Sequence, residues 1–248
     1  MPVNADVQAL DAAANRVLAS PPGRTDDRPP LPDHGRQAGR DTPVMARSEG
    51  NGMRASGLQR RTIMAVGQSR VARLARPVSE RDHVLGPANA PATLVEYGDY
   101  ECPYCGFAHP MVQSVLDRLQ GHVRFAFRHF PLAEIHPHAV LAAEAAEAAG
   151  AQDKFWPMHD MLYENQRALR EQDLLRNAAA LGLHLPGFTA ELADHRWEPP
   201  VREDFMSGVR SGVNGTPTFF VNGIRHDGSW DADSLTEALI AAAGLRAA

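Results

Sequence analysis

No stretch of the 248 residues approaches the roughly 18 consecutive apolar residues that a membrane-spanning helix needs, so the sequence predicts no membrane span. No secretory leader is expected either. Met1 to Ser20 has neither a positive n-region nor an apolar core, and the apolar stretch after Arg60-Arg61 stops at Gly67-Gln68-Ser69-Arg70, too soon for an export signal. The resulting expectation is a cytoplasmic location, with export left open if the N-terminus is mis-assigned and Met53 or Met64 is the real start. Cysteine is nearly absent too, with two residues in the chain. That excludes a disulfide-stapled framework, and without a second Cys-x-x-Cys the usual four-cysteine zinc site is two ligands short.

The net charge of −5 is unevenly spread. Residues 1–80 carry 12 arginines against 8 acids, whereas 81–248 carry 13 basic and 22 acidic residues. The first part is rich in turn formers, as in Pro21-Pro22-Gly23 and Pro29-Pro30-Leu31-Pro32. Such a segment buries too little apolar surface to offset its ordering entropy, so residues 1–80 are predicted to be a mostly disordered basic arm, with short helices at about 5–18 and 63–76. Its arginines are interleaved with acids, which favours a solvated tail over a nucleic-acid contact. Residues 81–248 form the folded domain.

The two cysteines stand three apart in Cys102-Pro103-Tyr104-Cys105, after a strand-like run, Ala92 to Tyr97, and at the start of a helix-like run reaching Leu119. A helix N-terminus offers unpaired N–H groups and the positive end of the dipole, so a thiolate is favoured at Cys102. Thiolates so placed have pKa values from about 3.5 to about 7.5. Pro103 suits the first turn, because its missing N–H has no intrahelical partner there. Cys105, one turn on, is placed to attack a mixed disulfide at Cys102. The expected roles are Cys102 as exposed nucleophile and Cys105 as resolving thiol.

A second landmark is Asn214-Gly215-Thr216-Pro217-Thr218-Phe219-Phe220-Val221-Asn222-Gly223, a turn, a short buried strand and a hairpin turn. Together with Cys-Pro-Tyr-Cys after a strand containing Glu96, it resembles the DsbA-like thioredoxin-fold thiol–disulfide oxidoreductases over roughly residues 82–246. The resemblance implies an α/β thioredoxin-like fold with a mixed central sheet and a helical insertion at about 137–210. It implies that Pro217 is a cis-proline facing the cysteines, that Thr216 offers its backbone to an extended substrate, and that Glu96 is a buried carboxyl assisting proton transfer. Partners would be protein or peptide thiols and disulfides plus a recycling redox partner, with no nucleic acid and no cofactor.

The chain departs from the archetypal enzyme in two places: Pro-Tyr replaces Pro-His between the cysteines, and Thr216 stands where that enzyme has valine. Losing an imidazole removes a potential cation and lowers oxidising power. Val123 to Phe130 alternates as a strand with Val123, Phe125 and Phe127 on one face, and Pro110 should kink the active-site helix. Helical patterns cover Ala139–Ala149, 153–164 and 172–181, and a last helix runs from an Asp231 cap to Ala243. Cys102, Cys105 and His109 have a metal-like spacing, but redox chemistry is favoured, so no metal site is expected. His109 is read as a helix-surface residue, His136 or His138 as a helix start, and His159 and Asp160 as surface or packing residues. A redox-sensing module without turnover, as in domains fused to transporters, is the rival function.

Overall fold

The structure, a computed structural model, describes residues 71–245. Alternating apolar residues build its strands. Ala92 and Leu94 of β2 (Ala92–Gly98) enter one core with Val123, Phe125 and Phe127 of β3 (Val123–His129), while Val95, Tyr97 and Ala126 enter the other. Because side chains alternate with period two, each strand feeds both faces of the sheet. The strands β2 and β3 run parallel from Ala92↔Val123 to Gly98↔His129, which requires a crossover. That crossover is α1 (Pro103–Arg118), the helix that carries the cysteine pair.

Short antiparallel strands complete the sheet. β1 (His83–Leu85) lies on β3, β4 (Thr218–Val221) on β2, and β5 (Ile224–Arg225) on β4, in the order β1-β3-β2-β4-β5. Asn222 and Gly223, with φ of 47° and 77°, make the tight hairpin between the last two strands. Five helices fill the interval between β3 and β4: α2 (Ala139–Gly150), α3 (Phe155–Glu164), α4 (Glu171–Ala180), α5 (Leu185–Ala193) and α6 (Glu198–Arg210). Alanine, the best helix former and a small one, makes up most of α2 and lets α3, α5 and α6 pack closely around it. The final helix, α7 (Ala232–Ala243), starts where the Asp231 carboxylate accepts the N–H groups of Asp233 and Ser234, and it packs on α1. The α/β thioredoxin-like architecture with its helical insertion is therefore as the sequence reads. No helix among the described residues is long and apolar enough to cross a membrane.

The arm boundary needs correction. Residues 71–80 belong to the domain: Leu74 and Val78 pack into the second core, Arg73 bridges Ile224, and the Leu74 N–H donates to Gly223 O at 2.9 Å. The expected helix at 63–76 is not continued in its described part, where residues 71–76 are non-helical. The reason lies downstream, in Arg128. This buried side chain consumes the carbonyls of Arg76 (2.9 Å) and Pro77 (3.1 Å), so the segment is held extended against the sheet. The rest of the proposed arm, residues 1–70, lies outside the described residues.

Candidate active site

A single turn after β2 delivers both cysteines. The Cys102 N–H donates to Asp99 O (3.2 Å), the Gly106 N–H to Cys102 O (3.1 Å), and Cys102 is the N-cap of α1 with Pro103 in its first turn. Pro110 interrupts the same helix from within, leaving the Gly106 carbonyl without its i+4 donor. The Cys102 thiol points across to the loop before β4 and donates to Thr216 O at 3.4 Å, and the Thr216–Pro217 peptide is cis. Sequence positions 114 apart thus meet at one sulfur.

The two sulfurs differ in their environments. The hydrogen bond from Cys105 is the largest influence on the Cys102 thiol and lowers its pKa to about 6, with help from Thr216 and against the effects of burial and the Asp99 charge. Burial holds the Cys105 thiol well above its ordinary value, reinforced by its hydrogen bond to Cys102 and by the charges of Cys102 and Glu96. Under the pair sits Glu96, 2 % exposed, with Oε1 lacking a hydrogen-bond partner. Burial, then the nearby Cys102 charge, raises its pKa to about 8. A carboxyl so placed carries its proton at neutral pH.

Cys102 is not the exposed group expected from sequence. Only 3 % of the residue is accessible, because its sulfur lies beneath the Thr216 carbonyl. The open surface is supplied by its neighbours Tyr104 and Phe107, both about half exposed. Pro217 is half-buried and lines a hollow of about 200 Å³ with Thr218, Phe219, His226 and Trp230. All five residues singled out in the sequence therefore lie along β2, the start of α1 and the loop into β4.

Other contributors carry no short sequence signature. Gln166, just beyond α3, donates to the carbonyls of Tyr100 (2.9 Å) and Cys102 (2.8 Å), tying the insertion to the cysteine turn. Asp99 accepts from His136 Nδ1 at 2.7 Å, and Glu101 from His138 Nδ1 at 2.8 Å. The His-x-His spacing was visible, but its acidic partners lie 37 residues away.

The reading of His109 as a surface residue is corrected. It is 8 % exposed, its ring packs against His159 and Tyr163, and burial lowers its pKa. Among the described residues, neither Cys102 nor Cys105 joins His109 in a cluster of ligand-type atoms. Instead His109, His159 and Asp160 bring ligand-type atoms within 4.8 Å of one another. The Gln113 amide already bonds His109 (3.0 Å) and Asp160, and Tyr100 OH bonds His159 Nδ1 (3.0 Å), so this cluster is a satisfied polar network.

Comparison with known proteins agrees with this fold, since the family model described as Thioredoxin matches residues 78–241. The chain belongs to the thioredoxin family. Among solved structures it is similar to oxidised BdbD from Bacillus subtilis, at 25 % identity and a TM-score of 0.62, covering 70 % of this chain and 99 % of that one. A thioredoxin-like oxidoreductase from Silicibacter pomeroyi matches at 28 % identity and a TM-score of 0.61, covering 68 % and 95 %. Wolbachia pipientis α-DsbA1, at 20 % identity and a TM-score of 0.59 over 69 % and 94 %, shares the fold. The DsbA-like resemblance read from the sequence is thus shown for the fold. Longer relatives are named as Na⁺/H⁺ antiporters. The Na⁺/H⁺ antiporter NhaA 1 of Salinispora arenicola is 47 % identical over 187 residues, 75 % of this chain and 28 % of that protein. NhaA 3 of Salinispora tropica is 50 % identical over 163 residues, 66 % and 25 %. The chain spans about a quarter of the length of these relatives.

Proposed function

We propose that the protein is a thiol–disulfide oxidoreductase that exchanges disulfides with protein or peptide substrates through Cys102 and Cys105. The observation that carries this reading is geometric: Cys102 caps the N-terminus of α1 with its sulfur 3.4 Å from the carbonyl before the cis Thr216–Pro217 bond, and Cys105 lies buried one turn on. At neutral pH the Cys102 thiolate attacks a substrate disulfide, its S–S bond breaks, and one substrate sulfur leaves as a thiolate. Cys105 then attacks Cys102 Sγ as its proton passes to the departing substrate sulfur, which leaves as a thiol; the substrate is reduced and the pair oxidised by two electrons. In the opposite direction a substrate thiolate attacks Cys102 Sγ of the oxidised pair. Cys105 leaves and takes the proton that Glu96 carries. Thr216 and Pro217 border the sulfur and present backbone to an extended substrate.

A second reading is supported by the antiporter relatives: a redox-sensing module that reports the state of the pair to a larger protein without turnover. Insulin reduction and refolding of a scrambled substrate separate the two. Catalytic turnover that is lost in Cys102→Ser supports the oxidoreductase, whereas stoichiometric oxidation without turnover supports the sensor. The glutathione equilibrium of the pair then gives the direction of electron flow, because each tenfold change in the constant is about 30 mV.

A further inference from the structure

Asp99 touches both cysteines through its backbone: its N–H donates to Cys105 Sγ at 3.5 Å and its carbonyl accepts the Cys102 N–H at 3.2 Å. Its side chain is fully buried and works in the opposite direction. The carboxylate accepts the Glu101 N–H (2.8 Å), the Leu132 N–H (2.8 Å) and the His136 imidazole (2.7 Å). The His136 N–H in turn donates to Leu132 O at 2.9 Å, so the turn 132–136 closes over Asp99 as one unit. Next to it, His138 gives both its N–H (2.7 Å) and its Nδ1 (2.8 Å) to the Glu101 carboxylate. Two histidines of one loop therefore clasp the two acids of the cysteine turn.

An anion at Asp99 opposes ionisation of Cys102. Around the imidazole the charged and titratable groups are Asp99, Glu101 and Cys102 on the β2–α1 turn, with His138 on its own loop and Glu96 in β2 below Cys102. Tyr104, the residue inside the motif where a cation could sit, is an uncharged side chain about half exposed. We propose that His136 is a positioning residue for the cysteine pair: held on Asp99 as an imidazolium, it offsets that carboxylate and supplies from the loop before α2 the positive charge that Pro103-Tyr104 lacks. The environment supports this. Burial would lower the His136 pKa, but the Asp99 hydrogen bond and the charges of Asp99, Cys102 and Glu101 raise it above the ordinary value. Electrostatic influence runs both ways, so a thiolate that favours the imidazolium is favoured by it to the same degree.

The proposal deepens the oxidoreductase reading and rests on it, yet its test needs no turnover. The rate of iodoacetamide alkylation of Cys102 is followed against pH in the whole protein and in His136→Gln, which keeps a hydrogen-bond donor and loses the charge. The variant is expected to shift the midpoint upward by about one unit, so that alkylation at pH 6 falls about fivefold while the two curves converge well above both midpoints. The glutathione equilibrium should move up to tenfold towards the disulfide, about 30 mV. The double variant Asp99→Asn, His136→Gln removes both charges and should return the midpoint towards that of the wild type. It also serves as the readout if His136→Gln alone does not fold. An unmoved midpoint in a folded variant, or a rate lowered by the same factor at every pH, overturns the proposal and leaves the oxidoreductase reading intact. Absence of insulin reduction by the wild type, with the midpoint still moved in His136→Gln, overturns that reading instead.

Discussion

Arg128 and Asp82 meet as a two-pronged pair with both side chains fully buried, Nε to Oδ1 at 2.7 Å and Nη2 to Oδ2 at 3.2 Å. The remaining guanidinium donors go to Tyr97 OH and the carbonyls of Arg76 and Pro77. Every prong of this planar donor is used, the condition under which a buried charge is tolerated. Arg128→Leu leaves the Asp82 carboxylate buried without its main partner. The expected loss is about 3–5 kcal/mol, measured by urea unfolding.

A related outcome concerns the start of the domain. A chain beginning at Val78 lacks Leu74, the Arg73 bridge and two carbonyls that Arg128 uses. Compared with a chain beginning at Val71, it should unfold at a temperature lower by several degrees. Equal melting temperatures would show that residues 71–77 add nothing to the fold.

Cys105→Ala should change Cys102 in two ways. It removes the hydrogen bond that most lowers the Cys102 pKa, so the alkylation midpoint should rise from about 6. It also removes the resolving thiol, so mixed disulfides should accumulate on non-reducing gels. Cys102→Ser should form none.

Glu96 predicts a distinct pH signature. Its folded-state pKa of about 8 lies above the ordinary carboxyl value, so the native state holds the proton more tightly than the unfolded chain. Stability from this group is therefore lost as pH rises from about 4.5 to about 8. Glu96→Gln should remove that decline, so its melting temperature should gain on the wild type across this window and hold the gap above it. Attack of a substrate thiolate on the oxidised pair, the step in which Cys105 takes the Glu96 proton, should slow by about 100-fold, the ordinary size of an acid–base contribution.

The opposite sign holds at Glu147. Burial would raise its pKa, but hydrogen bonds from His129 (2.9 Å) and His83 (3.0 Å) carry it down to about 2. Its contribution is present above about 4.5 and is lost as pH falls towards 2. In Glu147→Gln, stability near neutral pH should drop by roughly 3 kcal/mol and the loss on acidification through this window should be shallower.

The elements built from local pattern were legible. Alternation in Val123 to Phe127 gave β3 its two faces, Asn222-Gly223 marked the β4–β5 hairpin, and the Asp231 cap set the start of α7. Two short motifs pointed to Cys102, Cys105, Thr216 and Pro217, and the fold brings the two motifs together at the Cys102 sulfur. What stayed hidden depends on contacts between distant segments. Residues 71–80 have the composition of a tail and are ordered by a guanidinium some fifty residues later, with 52 positions between Arg76 and Arg128. His109 sits on a helix whose exposed side could not be assigned until α3 was seen to cover it. Asp99 and His136 are unremarkable in sequence, because what joins them is the parallel register of β2 and β3 that brings the ends of both strands to one edge.

The Gln166 amide reaches from the insertion to the carbonyls of Tyr100 and Cys102, across the surface of Gly106. A Cβ built at position 106 would overlap that amide. The bare glycine therefore serves as a keyhole, and the insertion works as a latch on the reactive turn rather than as a separate cover. Any molecule that pulls the 164–168 segment outward would release two carbonyls next to the nucleophilic sulfur at once. Position 106 is then the place where a single methyl group reports whether helical cap and redox turn move as one body or two.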